Sequence, residues 1–224
     1  MTYRLGGWTT GQEGVVTLAL FAALGGVVMT RAWRVGRLAV TAVHEGGHAV
    51  MAIVAGQTVT AVHLRPDSSG VTFHRGKQRW LSRAATAGAG YAAPGVAAIA
   101  GAALIAHGET RVWLTVLLAL AAVMVVGWVR NLFGVVVVGT LVLALGWLVV
   151  SGTSAEMLLA GSIVTWYLAI GGLRAAVEQL RVKDRGDAFE LGRLLRLPAG
   201  LVRAGFVGVS AASVAACVAL MFHW

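Results

Sequence analysis

Two histidines and a glutamate stand together in the run Ala42-Val43-His44-Glu45-Gly46-Gly47-His48-Ala49-Val50. On an α-helix, residues i and i+4 share a face, so the imidazoles of His44 and His48 can converge on one metal ion. Glu45, one residue beyond the first imidazole, can reach a water on that metal and accept its proton. The three types are needed together: two neutral nitrogen ligands, a zinc ion that lowers the pKa of water to about 7, and a carboxylate base. A third protein ligand, commonly a carboxylate, completes such a zinc centre. The candidates are Asp67, Asp184, Asp187, Glu13, Glu109, Glu156, Glu178 and Glu190. Position along the chain leaves Asp184 and Asp187 as the best placed.

The element that carries this run is apolar. Of the 224 residues, 58% are hydrophobic and 12% charged, with a mean hydropathy of +0.80. A soluble domain carries about 25% charge, so this composition excludes an ordinary soluble protein and leaves no room for a soluble appendage of any size. Ionisable groups inside a membrane helix are costly and by default functional, and here three fall within one and a half turns.

Apolar runs bounded by charge predict an all-α polytopic membrane protein with about seven transmembrane helices, near 14–30, 38–56, 84–106, 112–129, 132–150, 154–173 and 200–222. The whole of 1–224 reads as a single integral membrane domain, and the first run as a retained anchor, since Val28-Met29-Thr30-Arg31 offers no small-x-small cleavage site. Strict alternation of seven spans places 14 of the 18 lysines and arginines on one side. That side holds the N-terminus and the 57–83 and 174–198 loops, and is cytoplasmic by the positive-inside rule. Arg31, Arg34 and Arg37 dissent, which is what a re-entrant pair formed by the first two runs produces. Residues 58–75 predict a small membrane-associated β-hairpin, with branched residues flanking Pro66-Asp67-Ser68-Ser69-Gly70. Residues 174–198 place Phe189, Leu191, Leu194, Leu195 and Leu197 at helical spacing amid mixed charge, the pattern of an amphipathic segment on the cytoplasmic side.

Together these residues resemble the site-2 proteases, intramembrane zinc metalloproteases, and in particular their compact bacterial relatives. The resemblance rests on His44-Glu45-Gly46-Gly47-His48 leading into Ala55-Gly56, Ser69-Gly70-Val71-Thr72, Ala87-Gly88-Ala89-Gly90-Tyr91, Arg130-Asn131-Leu132-Phe133-Gly134 and Gly186-Asp187-Ala188. It implies a zinc metalloendopeptidase of a bacterial plasma membrane, cleaving transmembrane protein substrates within the lipid bilayer. His44, His48 and Asp187 are the implied metal ligands and Glu45 the implied catalytic base. The better-known members carry their third ligand in a Leu-Asp-Gly element that this chain lacks; a small residue, Asp-Ala and a leucine-rich stretch ending in Leu197-Pro198 favour Asp187 over Asp184.

Other readings carry less. The net charge of +9 lies between apolar runs, as membrane topology demands, and does not indicate nucleic acid. A non-catalytic metal-binding membrane protein, a sensor or transport component, would use the same histidines; a transporter would also carry internal repeats and a path of intramembrane carboxylates, and neither is present. Asn131 could donate to a substrate carbonyl or join two helices. His63 and His74 read as interfacial polar residues, and the Ala- and Gly-rich run 84–103 as tight helix packing without chemistry. Cys217 alone forms no intrachain disulfide and no thiolate cluster.

Overall fold

The computed structural model describes residues 10–77, 79–181 and 186–222. The described elements are α1 (Thr10–Val28), α2 (Thr30–Val54), β1 (Thr58–Leu64), β2 (Gly70–Arg75), α3 (Trp80–Ala106), α4 (Thr110–Gly127), α5 (Leu132–Ser151), α6 (Ser154–Gln179), α7 (Asp187–Leu195) and α8 (Ala199–Phe222). Six of the helices, α1, α3, α4, α5, α6 and α8, are long and apolar enough to cross a membrane. In lipid every backbone polar group must be paired within the segment, which is why β-branched runs such as Val135-Val136-Val137-Val138 are helical here. The protein is a multi-pass integral membrane protein.

Of the seven expected spans, the second is the exception. Both ends of α2 lie where α6 finishes and α3 begins. Trp33 Nε1 donates to Glu178 Oε1 at 2.9 Å and Arg37 pairs with the same carboxylate at 2.9 Å, while just past the other end Gln57 donates to the Lys77 carbonyl and the Ser82 hydroxyl, both at 3.4 Å. Thus both ends of α2 make contacts at the same end of the bundle, and α2 is not among the helices long and apolar enough to cross. The helix α1 runs alongside α6 in the same direction: Gly26 touches the Tyr167 ring and the Arg174 guanidinium caps the Val27 carbonyl. Val16, further back, belongs to the core that contains Ile105, Trp113 and Met221. Six crossings put residues 10 and 222 at the same end, where seven alternating spans had them apart. Arg31, Arg34 and Arg37 thereby join the other basic residues at the end that carries the hairpin. Among the described lysines and arginines only Arg111 lies at the far end. Among the described residues the basic side chains are therefore gathered at one end more sharply than strict alternation gave.

The hairpin forms where it was expected. Its strands pair antiparallel, Leu64 opposite Gly70 and Thr58 opposite Arg75, with an irregularity between Val59 and Ala61. Asp67 Oδ1 accepts from the Ser69 amide at 3.0 Å and its hydroxyl at 2.7 Å, which holds the Asp67 carboxyl below its ordinary pKa, and Ser68 takes φ +63°. The hairpin folds back along α2: Thr41 Oγ1 donates to the Ser68 carbonyl at 2.9 Å, and Ser68 Oγ to the Arg34 carbonyl at 3.2 Å. The outer side of β1 is also covered. Val62 N donates to the Trp128 carbonyl and Arg130 N to the Val62 carbonyl, at 2.7 and 3.2 Å, so β2 is the free edge of the sheet. The amphipathic segment contributes α7, preceded by Gly186 at φ +83° and closed by a left-handed Arg196 before Pro198. Residues 174–179 of that expected segment belong instead to α6.

Candidate metal centre

Helical periodicity alone brings His44 and His48 onto one face of α2, and their Nε2 atoms lie 3.1 Å apart. What periodicity cannot supply is the third group. Asp187, the first residue of α7, sets Oδ2 3.0 Å from His44 Nε2 and 3.3 Å from His48 Nε2. Burial alone would raise the Asp187 carboxyl; the two imidazoles outweigh it and hold the group below the usual carboxylate range. Asp184, the other candidate of that segment, lies outside the described residues.

Several neighbours fix these groups. His48 Nδ1 bonds the Thr86 carbonyl at 2.7 Å, which turns Nε2 toward His44 and Asp187. The His44 ring meets Tyr91 edge-on, centroids 4.6 Å apart, and Tyr91 stacks on Phe206 at 4.7 Å. Gly90 lies beneath both imidazoles: a Cβ there would come within 2.6 Å of His44 Nε2 and closer still to His48 Nε2. The small-residue run to which no chemistry was given therefore provides the space for the histidines. The helix α7 is tied down by the Arg83–Glu190 ion pair and by Trp80 Nε1 donating to the Leu194 carbonyl at 2.9 Å.

Glu45 is 4% exposed and turns toward the hairpin, where Thr72 Oγ1 donates to its Oε2 at 2.7 Å. These groups line one cavity of about 860 Å³, bounded by α2, β2, α3, α6 and α7. His74 also lines it, whereas His63 packs on the Phe73 ring with centroids 5.4 Å apart. Asn131 is occupied elsewhere. Its Oδ1 accepts from Leu64 N at 3.1 Å and its Nδ2 donates to the Leu64 carbonyl at 2.6 Å, which locks β1 to the start of α5. Thr72, Thr86, Gly90 and Arg83 went unassigned in the sequence because each acts through a contact between distant segments; only the grouping of small residues around Gly90 was visible there.

A family model described as Peptidase M50B-like matches residues 17–217. The chain belongs to this family, the site-2 protease family of intramembrane metalloproteases. No curated protein and no solved structure matches the chain significantly. In this M50B-like chain the match runs from within α1 to within α8 and takes in α2, the hairpin and α7, every element that lines the cavity. Family and geometry together make it a peptidase with a His, His, Asp group that could bind a metal.

Proposed function

We propose that this chain is a single-domain intramembrane zinc metalloendopeptidase that hydrolyses peptide bonds of membrane-embedded protein substrates, in a bacterial plasma membrane with the site end toward the cytoplasm. The observation that carries the reading is the convergence of His44, His48 and Asp187 from two elements 143 residues apart in sequence. The donor set fits zinc. Bonds of about 2.0–2.2 Å at tetrahedral angles separate ligand atoms by roughly 3.3–3.6 Å, and the three donor atoms here stand 3.0, 3.1 and 3.3 Å apart. The space that Gly90 leaves open is in keeping with a guest between the imidazoles.

In this reading His44, His48 and Asp187 hold the ion, and Thr86 orients His48. A bound zinc ion supplies Lewis acidity, polarising a peptide carbonyl and lowering the pKa of water to about 7. Glu45 takes the proton of the attacking water and returns it to the departing amine. A helix hides its peptide bonds within its own hydrogen bonds, so the substrate must be extended at the point of cutting. The free edge of β2 lines the cavity at Gly70, Val71 and Thr72 and can hold such a segment by strand addition.

The test is metal analysis and cleavage of a single-span substrate by the detergent-purified protein. Close to one zinc per chain is expected, largely lost in His44→Ala, His48→Ala and Asp187→Ala. Glu45→Gln should keep the metal and lose on the order of 10²- to 10⁴-fold in kcat. Full zinc in all three ligand variants, or undiminished cleavage by Glu45→Gln, would remove the assignment.

A further inference from the structure

We propose that Thr72 is a positioning residue for the general base, so that the hairpin sets the chemistry as well as offering a surface to substrate; this rests on the proteolytic reading above. Alternation along β2 turns Gly70 and Thr72 to the same side, and that side lies against Glu45. The Thr72 hydroxyl sits 2.7 Å from Glu45 Oε2 and 3.1 Å from the Glu45 main-chain carbonyl. A hydroxyl has one proton, and the shorter contact, to the carboxylate, is the stronger acceptor. Two residues back, a Cβ on Gly70 would fall 2.5 Å from both Cγ and Oε1 of Glu45, so the side chain lies directly on the strand backbone there.

These two contacts fix the carboxylate at both ends. The bare backbone at Gly70 sets how close Glu45 comes to the strand, and the Thr72 bond sets its rotation about the last torsion, which is otherwise broad. Oε2 is engaged by Thr72, and Oε1 lies against the bare strand backbone at Gly70. A glutamate on a helix has three side-chain torsions and, without this bond, spreads over several rotamers in a cavity of this size. The strand therefore selects one of them before substrate arrives, which is the preorganisation on which proton transfer depends. Because the hydroxyl of Thr72 bonds Glu45 and not the three metal-binding candidates, its removal acts on rate and not on metal.

The experiment compares Thr72→Val, which keeps the shape and removes the hydroxyl, with Thr72→Ser, which keeps the hydroxyl. Thr72→Val should lower kcat on the order of 10- to 100-fold, the worth of a hydrogen bond to a charged group, with KM within about twofold of the parent and zinc content unchanged. Thr72→Ser should restore most of the rate. A Thr72→Val enzyme with parental kcat, a Thr72→Ser enzyme as slow as Thr72→Val, or a loss confined to KM would each overturn the proposal. A second readout is independent of cleavage. In a thermal double-mutant cycle of Thr72→Val and Glu45→Ala, the double variant should shift Tm by less than the sum of the single shifts. Additive shifts would deny the contact and sink the proposal even in an inactive protein. Coupled shifts in a chain that cuts nothing would retain the contact and discard the proteolytic reading alone.

Discussion

The two ends of the helix bundle are built by opposite means. At the far end, Trp113 and Trp166 are 2% and 0% exposed and pack with Val16, Ala98, Ile105 and Met221. Close approach there depends on small residues: a Cβ at Gly101 would meet Trp113 at 2.5 Å and Thr165 Oγ1 at 2.7 Å. At the site end, contacts are polar and specific. Trp33 and Arg37 converge on Glu178, the Arg174 guanidinium lies 4.7 Å over the Trp33 ring, Arg83 pairs with Glu190, and Thr41 and Ser68 stitch the hairpin to α2. Apolar packing without directional bonds is a scaffold against which lipid tails compete poorly in shape; directional bonds position groups to fractions of an ångström. Glycine thus has two uses in this bundle, close helix packing at one end and room for imidazoles at the other.

The largest effect is expected from Gly90→Ala. The added methyl group overlaps both imidazoles, so zinc content and cleavage should fall to near background while thermal stability changes less. Normal zinc and cleavage in this variant would show that the pocket under the histidines is not needed. Gly101→Ala is the matching change at the far end. Overpacking there should cost about 1–3 kcal/mol of stability, read by thermal denaturation in detergent, with kcat of the folded fraction preserved. A large drop in kcat at unchanged stability would mean that the two ends are coupled. Smallest is Arg83→Met, which leaves Glu190 paired only with Arg193 of its own helix and so loosens α7. Both partners are about a third exposed, and pairs of this kind contribute about 0.2–1 kcal/mol, so zinc affinity should weaken by a factor of a few, measured by competition with a chelator. No change in affinity would show that Trp80 and Asp187 suffice to hold α7.

The membrane class, the hairpin, α7 as an amphipathic helix and the pairing of His44 with His48 were all legible because each depends on local periodicity or composition. Asp187 was legible only as the favoured member of a pair with Asp184, since spacing along the chain does not say how α7 folds back. The expectation of about seven spans stands beside six helices long and apolar enough to cross, and α2 makes the difference. Its apolar stretch is long enough to cross, but Arg31, Arg34 and Arg37 precede it, and hydropathy counts residues without knowing which partners neutralise them. For Arg37 that partner is Glu178, which arrives from α6.

Periods of two and 3.6 residues and transfer free energy are written into the chain, and they settle which segments avoid water, which form helices, and which imidazoles share a face. It took the folded chain to show that Thr72 meets Glu45, that Asn131 bonds the Leu64 backbone, that Gly90 makes room for the histidines, and that both ends of α2 lie at the site end. Each of these depends on contacts between segments tens of residues apart. Such contacts form when packing of the whole bundle settles which faces meet, and no local pattern encodes that choice.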